Sequence, residues 1–113
     1  MAQYAFINPV IAGKMDVWKN YVTEMTGPRR QEYKESRKKA GLSVEKVWVQ
    51  HTPMGDYAVV YWEAADIGKV FERFMQSEEP IDKWFRDKIL VGVHGMDISN
   101  PPPMNEIVLD FKA

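Results

Sequence analysis

The stretch Val44–Ala64, VEKVWVQHTPMGDYAVVYWEA, constrains the chain more than any other. Two runs rich in β-branched and aromatic residues flank a Pro- and Gly-containing turn, the pattern of a β-hairpin. Val44 to Thr52 makes the first strand, with Val47, Val49 and His51 on one face and Trp48, Gln50 and Thr52 on the other. Tyr57 to Ala64 returns. Both faces are largely apolar: Val47, Val49, Tyr57, Val59 and Tyr61 are grouped against Trp48, Ala58, Val60 and Trp62. A sheet of this kind must be covered twice, because a large bare apolar patch marks an interface.

The flanking segments supply one cover. Tyr4 to Val10 is apolar at both parities and reads as a strand. From Lys14 the period becomes helical, with Met15, Trp18, Val22 and Met25 on one side. Gly27-Pro28 breaks or kinks this helix, which resumes and ends at Ala40-Gly41, where glycine is a natural cap. Beyond the hairpin, Asp66 caps a helix that turns Val70, Phe71 and Phe74 inward. SEEP breaks it, and Pro80 opens a second piece carrying Ile81, Trp84, Phe85 and Ile89. ILVGVHG suits a strand or a helix, and a helix ending at Gly95 is favoured. SNPPP is extended, and Glu106 to Phe111 is expected to form a last strand. The expected fold is therefore α+β and ferredoxin-like, in the order β-α-β-β-α-β. Its sheet is antiparallel, with two broken helices on one face. The chain of 113 residues makes one domain, 1–113. The second apolar sheet face then calls for a homodimer, two sheets packed into a barrel.

Composition removes several function classes. Fifteen basic and 16 acidic residues give a net charge of −1, against the basic excess of a nucleic-acid domain. Cysteine is absent, so disulfides, thiol nucleophiles and thiolate metal sites are excluded. The N-terminus lacks the basic and apolar regions of a signal peptide, and no run is long enough for a membrane span. A cytoplasmic location is the expectation.

The segments GPRRQEYKESRKKAG, HTPMGDYAVVYWEAAD and PIDKWFRDKILVGVHG give the chain a texture that resembles the dimeric α+β barrel superfamily. That group includes cofactor-free monooxygenases and haem-degrading enzymes, and the nearest likeness within it is to a small bacterial family of unassigned function. The resemblance implies a dimer and a cleft between sheet and helices that takes a small apolar or aromatic molecule. It implies no catalytic residue by motif.

Candidate residues are read from the chain itself. His51 sits at a strand end and His94 at a helix end; either can be a base near neutral pH, and either has a structural reason to be there. His94 is also a candidate axial haem ligand, haem being the one cofactor considered. The two histidines have no metal-site spacing, and no metal is expected. Arg29, Tyr33 and Arg37 continue the inward face of the preceding helix if its phase survives Pro28. Their partners would be Glu45, Glu63 or an acidic ligand; the alternative is a solvated basic face. Trp84 and Trp62 are the aromatic side chains expected to line the cleft. The functional expectation is a small-molecule binder, with His51, His94 and Tyr33 as catalytic candidates and a cofactor-free monooxygenase or isomerase as the chemistry. The alternative is a non-catalytic structural or regulatory homodimer without a pocket.

Overall fold

The computed structural model describes residues 1–113. β1 (Ala2–Val10) is followed by α1 (Met15–Thr26) and α2 (Arg30–Ala40), then by the hairpin β2 (Leu42–Thr52) and β3 (Gly55–Ala64). α3 (Ile67–Gln76), α4 (Pro80–Phe85) and a π-helical segment (Arg86–Val91) complete the ordered elements. The sheet is antiparallel with three strands in the order β1-β3-β2. The result is a small α+β protein.

The hairpin turns more tightly than the sequence suggests. Thr52 pairs with Gly55, so only Pro53 and Met54 lie outside the ladder. The Thr52 hydroxyl donates to Gly55 O at 2.6 Å and closes the turn. This register places Val47 opposite Val60 and Val49 opposite Ala58. Val47 and Val49 therefore share the helix-side face with Ala58, Val60 and Trp62, while Trp48 joins Val59 on the other. The expected grouping of Val47 and Val49 with Tyr57, Val59 and Tyr61 is corrected, because a two-residue turn fixes the opposite parity.

A second detail of the ladder has larger consequences. The register shifts between Leu42 and Val44, leaving Ser43 as a bulge. An extra residue reverses the parity of what precedes it, so both Leu42 and Glu45 point to the helices. Glu45 lies opposite Trp62.

On the helix side, Ala58, Val60, Trp62 and Ala64 of β3 alternate as buried residues with half-covered Tyr57, Val59, Tyr61 and Glu63. They form two clusters. One joins Leu42, Val60, Trp62 and Ala64 to Ala40, Ile67, Val70 and Phe74; the other joins Ala58 and Val10 to Trp18, Met25, Ile89 and Val93. α1 and α2 are separate helices, as the Gly27-Pro28 break foretells. Gly41 ends α2 at φ +84°, with its N–H on Arg37 O and Lys38 O. Asp66 caps α3 through Lys69 N at 3.2 Å.

ILVGVHG turns out helical. The wide π turn continues through bonds from His94 N to Ile89 O and from Met96 N to Leu90 O, and Gly95 closes it at φ +64°. A Cβ on Gly92 would stand 2.6 Å from Lys88 O, so this winding needs glycine there. The last expected strand does not form. Glu106–Phe111 carries no sheet pairing and is exposed, so the order ends without its final β. Pro101–Pro103 offer no backbone donors. At the β1 edge, Ala5 O takes the Asn105 side-chain amide at 2.5 Å, while Asn105 N reaches the Tyr4 hydroxyl at 2.9 Å. A single side chain thus fastens the tail where a fourth strand would begin. No helix is long and apolar enough to cross a membrane.

Candidate functional site

Between the helix layer and the sheet lies a cleft of about 840 Å³, walled by residues of both core clusters and predominantly hydrophobic. Val47 stands at its mouth: it faces the helices yet is 48% exposed, because no helix lies over that stretch of β2. Thr26, Arg30, Lys34, Lys38 and Ser43 also line it, and two buried polar groups of opposite character interrupt the apolar wall.

The first is a closed knot around Glu45. Arg37 Nε donates to Glu45 Oε1 at 3.0 Å, the Tyr33 hydroxyl donates to the same oxygen, and Trp62 Nε1 donates to Oε2 at 3.2 Å. The Arg37 guanidinium is stacked on Tyr33 at 3.9 Å and on Phe74 and Phe85 at 4.6 Å each. A guanidinium tolerates such a cage because its faces are weakly hydrated while its edge donates. A further donor of Arg37 reaches the Ser36 hydroxyl at 3.2 Å, and Ser36 donates to buried Asp82, which also accepts from Ser77 at 2.5 Å. Burial pushes the Tyr33 phenol well above its ordinary range, and Glu45 pushes it further, against the opposing pull of Arg37. Burial alone would lower the Arg37 pKa, but the Glu45 carboxylate raises it, so the ion pair persists. Each donor nitrogen and hydroxyl of the knot has an acceptor, Arg37 Nη2 through a long 3.5 Å contact with Glu45 Oε2.

The second group is not closed. His94 is 6% exposed, and its Nδ1 lies 2.8 Å from Pro9 O. A carbonyl only accepts, so Nδ1 carries the proton and Nε2 of the neutral ring is a bare acceptor. Burial lowers the His94 pKa, offset in part by the Pro9 bond, and favours that neutral form. Trp18 holds the ring edge-to-face at 5.6 Å. Beside it, Asn8 is 8% exposed and its carboxamide makes no hydrogen bond within the protein. No sealed side-chain N or O lacks a partner, so the unbonded atoms of Asn8 and His94 keep some accessible surface; both residues line the cleft, and Asn8 also lines an adjoining pocket of about 420 Å³ beside Pro101–Asn105.

Of the seven candidates from the sequence, Tyr33, Arg37, Trp62 and His94 line this cleft. The other three lie elsewhere. His51 is on the exposed hairpin end, its Nδ1 2.7 Å from Asp56, with 71% of its side chain exposed. Arg29 precedes α2, pairs with Glu24 at 2.6 Å and stacks on Trp84 at 4.6 Å; Trp84 packs against Tyr21 instead of the cleft. Arg29 caps α2 one turn before Tyr33, and its side chain is drawn to Glu24 and Trp84 instead of the cleft. Asn8 and Glu45 are the buried or half-buried acceptors absent from the candidate set, which also lacks Thr26, Arg30, Lys34, Lys38 and Ser43 among the lining residues. Asn8 had one signal, an amide amid the apolar β1 strand; the inward turn of Glu45 depends on the bulge at Ser43. No group of three or more His, Asp or Glu side chains is placed to hold a metal ion. Of the two histidines only His94 lines the cleft.

These features define a small two-layer α+β protein with an apolar pocket between its layers. The chain belongs to a family of unknown function, DUF6176, whose model matches residues 7–89. That span includes Asn8, Tyr33, Arg37, Glu45 and Trp62 and stops before His94. No curated protein and no solved structure matches the chain.

The lowered His94 pKa has a consequence for stability. The unfolded chain binds a proton at this position more readily than the folded one, so the contribution of neutral His94 is complete above about pH 6.5 and is lost as pH falls below it. Replacing His94 with Gln should therefore narrow the loss of stability seen between pH 7 and pH 5, in urea titrations at each pH. An identical pH slope in both proteins would contradict the assignment.

Proposed function

We propose that the protein binds a small, mainly apolar, aromatic-sized organic molecule in the cleft between sheet and helices. One observation carries the reading: a cleft of about 840 Å³ lined by Asn8, whose carboxamide has no partner in the protein, and by His94, whose Nδ1 is held by Pro9 O while Nε2 is unbonded. Ligand pockets commonly have this volume, an apolar wall and a few fixed polar groups. A scaffold without a ligand has no reason to leave such groups unmatched. His94 is the catalytic candidate, as a neutral base. An isomerisation is the simplest chemistry available to it, since one proton leaves one atom of the ligand and returns to another with no co-reactant. Tyr33 and Arg37 position the wall through Glu45. Replacing Val47 with Trp should block the mouth at little cost to the core, weakening a probe such as 2-methoxynaphthalene by about tenfold or more with an unchanged melting temperature. Undiminished binding would place the probe elsewhere and overturn the reading.

We further propose that a second copy of the chain covers the other sheet face. Across it run Ile7, Val59 and Trp48 in one row, with Ala5 and Tyr61 in the next. Ile7 and Trp48 are 60% and 54% exposed. Lys46 and Glu63 occupy the same face, so a twofold copy can bring opposite charges together at its rim. Sedimentation should give twice the chain mass of 13.1 kDa, falling to the single mass in Trp48→Glu. A wild-type chain that stays monomeric at high micromolar concentration would rule the dimer out.

A further inference from the structure

Asn8 and His94 form one recognition element. They sit on either side of the Pro9 peptide: Asn8 precedes it in β1, and His94 Nδ1 bonds the Pro9 carbonyl. The backbone bond from Ile11 N to Val93 O at 2.9 Å ties the same two segments together. Both residues are more than nine-tenths buried and both line the cleft. What they present is specific. His94 Nε2 offers a lone pair and no proton. The Asn8 carboxamide offers two N–H donors and one carbonyl.

We propose that this end of the cleft recognises a hydroxyl group, and that the ligand is a phenolic or enolic compound whose O–H donates to His94 Nε2 while its oxygen accepts from the Asn8 amide. The inference rests on the cleft being a ligand site and names the chemistry of its occupant. A carboxylate does not suit this end. It would meet the His94 lone pair; of the cations that line the cleft, buried Arg37 is already engaged by Glu45 and Ser36, and Arg30, Lys34 and Lys38 stand on α2. A hydrocarbon would bury both polar groups unmatched.

The arrangement also supports proton transfer. The ligand O–H bond breaks, an N–H bond forms at Nε2, and the electron pair stays on oxygen as a phenolate or enolate that the Asn8 N–H stabilises. No co-reactant is needed. Because burial disfavours the imidazolium, transfer runs furthest for acidic hydroxyls, and an ordinary phenol stays hydrogen-bonded.

The test compares three probes of one shape by fluorescence titration: 2-naphthol, 2-methoxynaphthalene and 2-naphthoate. The wild-type protein should bind 2-naphthol about tenfold or more tightly than either of the others, since a site built around a hydroxyl rejects analogues lacking it. In Asn8→Leu, close in size and with no side-chain part in the His94–Pro9 bond, that preference should fall to within about threefold, with 2-methoxynaphthalene still bound and the melting temperature kept. His94→Gln should reduce it likewise. Equal binding of the three probes, tighter binding of the naphthoate, or a naphthol preference that survives Asn8→Leu would overturn hydroxyl recognition and leave the cleft as a ligand site. Failure of all three to bind would overturn the ligand site as well.

Discussion

The structure depends on one buried ion pair. Arg37 comes from α2, Glu45 from β2, and between them they join the helix layer to the sheet. A charge withdrawn from water this far is costly unless matched. Here Glu45 collects Arg37, Tyr33 and Trp62, and Arg37 is caged by three aromatic rings. Ser36 and Asp82 extend the same network to α4. These contacts have directions, which apolar packing lacks. They fix where α2 stands over the sheet and therefore how wide the space beside it remains.

That space gains its character from the contrast between its two polar regions. Around Glu45 every donor has an acceptor, so this wall is rigid. At the other end the Asn8 carboxamide and His94 Nε2 have no protein partner, although both residues are buried. The π turn after α4 is the device that makes this possible. It lets the chain re-enter the core at Val93 and His94 with the imidazole tethered to Pro9, and an extra residue in a helical turn is a frequent way of aiming a functional side chain. Strain in the winding is avoided by Gly92 and Gly95.

Much of this was legible in the sequence, and the gaps have physical causes. Hydrophobic period and turn chemistry located the hairpin, the break at Gly27-Pro28, the Gly41 end and the Asp66 cap. The Tyr33–Arg37 row was legible because both residues lie within one uninterrupted helix. Arg29 lies off the cleft because its side chain turns to Glu24 and Trp84, local partners that spacing does not reveal. The faces of the hairpin were paired wrongly because parity turns on loop length, and Pro53-Met54 alone does not reveal a two-residue loop. Glu45 was visible only as one partner among several, since a one-residue bulge is what turns it inward. The tail carries strand-like residues from Glu106 to Phe111, but pairing needs a neighbour in register, and sequence texture does not report one.

The account is tested most directly by a double-mutant cycle on Arg37 and Glu45, read by urea unfolding of Arg37→Met, Glu45→Gln and the double variant. Each single change strands a buried partner and should cost about 3 kcal/mol or more. The double variant should lose at least ~1.5 kcal/mol less than the sum of the two. Losses that add to within ~0.5 kcal/mol would contradict the claim that this pair joins the layers.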